Sequence, residues 1–172
     1  MTHRILLDRA TILRRVRELG AMVSRDLAGQ ELLAVVILKG ATIFAADLLR
    51  SITIPVCLDF MEVSSYCGAE STARVTLVKD LKSPVDGRNL LLIEDIVDTG
   101  LTLSYLTRRL AALGPSSLRV CALLSKPARR QTQVEIDYLG FTIEDQFVIG
   151  YGLDHGERHR NLPDICIWQG KD

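Results

Sequence analysis

The chain is expected to fold as α/β, with a central, mostly parallel sheet flanked by helices. Three observations lead there. The apolar runs Glu31 to Leu38, Leu90 to Ile93 and Ser116 to Leu124 lack polar alternation, as strands covered on both faces do. Segments with apolar residues every three or four positions lie between them. Two of the runs pass straight into such segments through turns carrying glycine and charged or hydroxyl side chains.

Taken in order, Asp8 to Ala28 places Ile12, Leu13, Val16, Leu19, Val23 and Leu27 at helical spacing, with Gly20 as a candidate break. Its Arg14, Arg15 and Arg17 read as a solvated face. The strand Glu31 to Leu38 then meets Lys39-Gly40 before a second helix from Ala41 to about Arg50. A cation beside a glycine and the free N–H groups of a helix start suits a diphosphate, although a plain exposed lysine satisfies the residues equally well. Ile54 to Glu62 reads as a strand, and Val63 to Arg74 is small and polar, which fits either a hairpin loop or a lid. Val75 to Val78 is a further strand, and Lys79 to Gly87 a polar connection with no evident function.

The next turn is the informative one. Leu90 to Ile93 leads into Glu94, Asp95 and Asp98, then Thr99-Gly100-Leu101-Thr102 opens a helix reaching Leu113. Two hydroxyls, a glycine and unpaired N–H groups make an anion cradle, most simply for a phosphate. The three carboxylates would repel that phosphate, so they serve sugar hydroxyls, a divalent cation or a proton. Neither a P-loop nor a dinucleotide fingerprint is present. The local reading is a ribose 5-phosphate site; the bland alternative is an acidic turn in which Asp98 only caps the helix.

Composition sets outer bounds. At 172 residues and 19.1 kDa, with 48% hydrophobic and 24% charged residues, one domain spanning 1–172 is expected, without internal repeats or linkers. Lys+Arg and Asp+Glu are equal at 21, so no general attraction to nucleic acid or membrane follows. The longest apolar run, Leu32 to Leu38, is too short to cross a bilayer, and the first residues carry no signal-like stretch. A cytoplasmic location is expected. Cys57, Cys67, Cys121 and Cys166 are scattered without metal-type spacing, and read as three buried small hydrophobes and one loop thiol.

Hydrophobic residues followed by Glu-Asp-x-x-Asp-Thr-Gly-x-Thr-Leu resemble the phosphoribosyl diphosphate (PRPP) motif of type I phosphoribosyltransferases. Within that superfamily the chain is similar to the short, bacterial hypoxanthine-guanine kind, from about Leu38 to the C-terminus. The resemblance implies a magnesium-dependent transfer of 5-phosphoribosyl from PRPP to N9 of a 6-oxopurine, releasing diphosphate. It implies a small hood built from about 1–10 and 145–172 over the base, and a lid at about 63–75 in which Ser65 and Tyr66 close over the substrates. The tract Cys67 to Val75 departs from the longer Gly/Ser/Thr-rich tract usual there.

Residue by residue, the resemblance assigns the ribose and its 5′-phosphate to Glu94, Asp95, Thr99, Gly100, Leu101 and Thr102. Lys39, Gly40 and Arg160 are assigned to diphosphate, Lys126, Phe147, Val148 and Asp154 to the purine, and Glu94, Asp95 and Asp154 to Mg2+. Asp98 becomes the acceptor of the purine N7 proton, as general base or as orienting acceptor. From the residues alone, a surface lysine is the favoured reading of Lys126 and a core residue that of Phe147. Arg129, Arg130, His155 and His159 read as solvent-facing, and Ile165 to Trp168 as a last short strand over the base. A homodimer or homotetramer is implied by the family. Two other functions fit related folds, an RNA-binding regulator and a uracil-specific enzyme. The lack of basic excess speaks against the first, and the match around Lys126 and Phe147 to Asp154 against both.

Overall fold

The computed structural model describes residues 3–66 and 74–170. Five parallel strands form the body of a six-stranded sheet: β2 (Leu32–Leu38), β3 (Val56–Tyr66), β5 (Asn89–Val97), β6 (Ser117–Ser125) and β7 (Tyr138–Thr142). An edge strand, β4 (Arg74–Lys79), pairs antiparallel with β3, and the spatial order is β4-β3-β2-β5-β6-β7. A separate antiparallel sheet joins β1 (Arg4–Leu7), β9 (Ile165–Ile167) and β8 (Val148–Ile149), bringing the two ends of the chain together as the expected hood.

Period-two alternation divides the core. Leu32, Ala34 and Val36 of β2, with Leu91 and Ile93 of β5, face helices α1 (Arg9–Asp26) and α2 (Thr42–Ser51). Leu33, Val35, Ile37, Leu90 and Leu92 face the other way, toward Leu103, Leu106 and Leu110 of α3 (Leu101–Ala111). Adjacent strands β2 and β5 therefore send their chains to opposite faces, which opens a crevice at their carboxyl ends.

Several expectations change in detail. Gly20 does not interrupt α1; it is buried, and a Cβ there would stand 2.6 Å from Ser51 Cβ, so the glycine permits close approach of α1 and α2. Arg15 is not merely solvated, since its guanidinium donates to the carbonyls of Leu139 and Gly140 at the sheet edge. Cys57 is exposed on β3, whereas Cys121 and Cys166 are buried. Residues 63–66 continue β3 and 74–75 belong to β4, so the backbone of Ser65 and Tyr66 is strand. The remainder of the expected lid, 67–73, lies outside the described residues. β7 has no counterpart in the sequence reading: its five residues include Gly140 and Thr142, and pairing with β6 supplies the order that local pattern does not.

Candidate active site

The acidic segment is less of a turn than its composition suggests, because β5 runs on through Glu94 and Asp95 to Val97. Only Asp98 and Thr99 remain before Gly100, the N-cap of α3, whose φ of 83° lies in the left-handed region. A Cβ on Gly100 would also come within 2.5 Å of the Thr132 carbonyl, so here glycine serves close packing within the chain. Thr99 carbonyl accepts from the N–H groups of Gln131 and Thr132, which anchors the turn. Gly100 carries no capping side chain and Asp98 accepts from none of these N–H groups, so the capping role considered for Asp98 is set aside; Thr99 Oγ1 accepts from the Leu101 N–H at 3.4 Å, and the other first-turn N–H groups stay available to an anion. They border a cavity of about 300 Å3 lined by Thr99, Gly100 and Thr102, with Leu101 not among its lining residues.

The β2-to-α2 turn forms the facing wall. The Leu38–Lys39 peptide is cis. A Cβ on Gly40 would collide with the Asp95 carboxylate, and one on Gly152 would collide with the Gly40 carbonyl. The Gly40 peptide is thus held between β5 and the hood. Lys39 Nζ donates to Glu157 Oε2 at 3.2 Å, and Arg160 Nη2 lies 2.8 Å from Asp154 Oδ1 and 3.4 Å from Glu157 Oε2. Arg160 is further fixed by donating to the Gly152 carbonyl. Lys39 and Arg160, distant in sequence, are brought together.

Glu94 is buried and its Oε2 has no hydrogen-bond partner. Burial, and then the charge of Asp95, push its carboxyl well above the usual range. Asp95 keeps some surface toward the cavity; burial raises it too, against opposing hydrogen bonds from the Glu94 side chain and the Ile96 N–H. Two desolvated carboxylates with an orphan oxygen fit a hard divalent cation such as Mg2+, which takes one or two carboxylates and completes its shell with water and substrate phosphate. Among the described residues no three His, Cys, Asp or Glu side chains converge into a cage of their own. Asp154, expected as a third ligand, instead holds Arg160 and accepts from Glu157 N–H.

A second cavity of about 400 Å3 adjoins the first and shares Asp95, Ile96, Asp98 and Asp154 with it as lining. Lys126 lines it and is only 6% exposed, which removes the surface-lysine reading. Phe147 is 53% exposed, not core, and Val148 is buried beside it on β8. Asp98 Oδ1 is shielded from solvent and accepts no hydrogen bond. Arg129 Nε stands 3.0 Å from that oxygen, an ion-pair distance outside hydrogen-bond geometry.

Arg129 and Arg130 are therefore not simply solvent-facing. Arg129 also lines the second cavity, and Arg130 donates to the Asp98 carbonyl and the Ser125 hydroxyl. Pro127 at the start of a 3-10 turn, Pro127–Arg129, was the available signal for a chain turning back on the site. His155 and His159 likewise do more than face solvent. His155 stacks on Trp168 at 4.4 Å between ring centroids and meets Phe147 edge-on at 5.7 Å, while His159 lies 5.4 Å from Trp168. Nothing local in the sequence foretells that aromatic cluster.

The chain is similar to known proteins over most of its length. The family model described as a phosphoribosyl transferase domain matches residues 4–155. The chain is 48% identical over 168 residues to a hypoxanthine-guanine phosphoribosyltransferase of Mycobacterium avium, covering 94% of this chain and 83% of that protein. It is 43% identical over 166 residues to the enzyme of the same name from Bacillus subtilis, covering 96% and 92%. A crystal structure of a hypoxanthine phosphoribosyltransferase from Staphylococcus aureus superposes with a TM-score of 0.92 at 43% identity, covering 96% of this chain and 91% of that one.

Proposed function

The chain belongs to the phosphoribosyltransferase family, in its hypoxanthine-guanine branch, and we propose that it salvages purines by joining hypoxanthine or guanine to PRPP, giving IMP or GMP. One observation carries the reading at the level of residues. A phosphate-suited cavity and a base-suited cavity meet at Asp95, Asp98 and Asp154.

The roles divide by where charge develops. As diphosphate departs, positive charge grows on the ribose ring and negative charge on the leaving group. Thr99, Gly100, Leu101 and Thr102 cradle the 5′-phosphate with backbone N–H groups and hydroxyls, fixing C1′ against the base. Glu94 and Asp95 hold the ribose hydroxyls and lend negative charge beneath the ring. Lys39, Gly40 and Arg160 receive the diphosphate, the guanidinium offering a planar fork to paired oxygens.

On the base side, Lys126 donates to the 6-oxo group, Phe147 stacks on the ring, and backbone near Val148 reads its edge. Asp98 accepts the N7 proton; its Oδ1 accepts no hydrogen bond, though Arg129 Nε stands 3.0 Å from it. Glu94 and Asp95, with Asp154, would hold Mg2+, which would supply charge neutralisation to the diphosphate. Ser65 and Tyr66 are assigned to closure over the substrates. A homodimer or homotetramer and a cytoplasmic location follow the family; no helix among the described residues is long and apolar enough to cross a membrane.

The test is diphosphate release with PRPP, Mg2+ and each of hypoxanthine, guanine, xanthine, adenine and uracil. Turnover confined to 6-oxopurines is expected. Release with uracil alone, or with no base despite nucleotide binding, would overturn the proposal.

A further inference from the structure

Glu157 puts a carboxylate where the proposed function places diphosphate. Its Oε2 lies 3.2 Å from Lys39 Nζ and 3.4 Å from Arg160 Nη2, so a single oxygen bridges both cations assigned to the leaving group. Lys39 and Glu157 are 118 positions apart in the sequence, and their contact is a hydrogen bond as well as an ion pair. Asp154 completes the arrangement, with Oδ1 on Arg160 at 2.8 Å and Oδ2 accepting from the Glu157 N–H at 2.9 Å.

The backbone under Glu157 is built for this placement. Its φ of 64° is left-handed, in a tight turn closed by reciprocal backbone hydrogen bonds between His155 and Arg158. The side chain itself remains 65% exposed, so the two cations, not packing, hold it. Lys39 and then Arg160 favour its charged form, keeping its carboxyl below the usual range.

We propose that Glu157 is an internal stand-in for the leaving diphosphate: its carboxylate pairs with Lys39 and Arg160 in the free enzyme, is displaced when PRPP enters, and returns as diphosphate leaves. The inference rests on the assignment of Lys39 and Arg160 to diphosphate. Glu157 contributes no contact to bound substrate in this scheme. As an anion it competes with the ligand, and it prevents two neighbouring cations from facing each other uncompensated. Exposed ion pairs are weak, so displacement costs little and the site remains easily opened. A competitor of that strength also limits how tightly the product is retained.

The sign of the predicted effect is opposite to that of an ordinary binding residue. Calorimetric titration with inorganic diphosphate and Mg2+ at constant ionic strength should show Glu157→Gln binding about three- to tenfold tighter than the unaltered protein, as expected from losing two exposed pairs. The KM for PRPP should fall in parallel, and diphosphate should become a stronger product inhibitor. Glu157→Ala, which also removes the hydrogen bond, should move the same way. Unchanged or weaker diphosphate binding in both variants would overturn the proposal. Lys39→Ala and Arg160→Ala separate the two readings. If they weaken diphosphate binding while Glu157→Gln does not strengthen it, only the role of Glu157 fails. If neither weakens it, the assignment of the subsite fails as well.

Discussion

Two sets of buried carboxylates lie on strands flanking β2, and they are treated in opposite ways. Asp59 on β3 is 6% exposed and accepts backbone N–H groups from Phe60, Lys82 and Ser83, with Lys79 3.7 Å away. Burial alone would raise its carboxyl, but these donors prevail and hold it at about 2. Glu94 and Asp95 on β5 are raised, and Glu94 Oε2 has no partner at all. A satisfied buried acid stabilises a fold, whereas a desolvated pair with one oxygen left unpartnered costs stability until a ligand arrives. The polar connection Lys79 to Gly87, which carries no functional signal, is the segment Asp59 organises.

The sharpest way to probe the contrast is Asp98, the third acidic group beside Glu94 and Asp95. Asp98→Asn should lower kcat by about 10²–10⁴-fold while leaving PRPP binding nearly unchanged, measured by steady-state kinetics and by direct titration. Equal losses in both would reject the proton-accepting role. Next in size is Gly40→Ala, whose Cβ would displace the Asp95 carboxylate. Activity should fall about a hundredfold, the scale of a 1 Å misplacement at a reacting centre. Near-normal kinetics would mean that Asp95 need not stay where it stands.

The smallest effects are on stability, and they should differ in sign. Asp59→Asn should destabilise the protein by on the order of 2 kcal/mol at neutral pH without a matching loss of kcat. Because the folded value of about 2 lies below the ordinary 3.8, that contribution is complete above the ordinary value and fades as pH falls through the folded one. The gap between wild type and Asp59→Asn in urea unfolding should therefore close toward pH 2. Glu94 is raised from 4.5, so its charge opposes folding as pH rises through that value. Without metal or substrate, Glu94→Gln should melt higher than wild type at pH 7 yet lose activity. A lower melting temperature would break the comparison.

Some of this was legible from residue order because the signals are local. Leu32 to Leu38 and Leu90 to Ile93 announce buried strands by unbroken apolar runs, and Thr99 to Thr102 announces a helix start by residue type. The same logic stops where contacts are distant. β7 forms by pairing with β6, Gly20 is needed by α2, and Gly40 by Asp95. Arg129 reads as a surface charge until a 3-10 turn swings it to 3.0 Å from Asp98.

The fold class, the strands β2, β5 and β6 with the helices around them, and the family were determined by the sequence itself, since their signals lie in stretches of neighbouring residues. Only the tertiary structure decided which charges meet: Lys39 with Glu157 and Arg160, Asp98 with Arg129, His155 between Phe147 and Trp168. The reason is physical. Helix and strand periodicity are properties of neighbouring residues, but electrostatics and ring packing depend on distance in space, which is set only when β2, β5 and the hood close on one crevice.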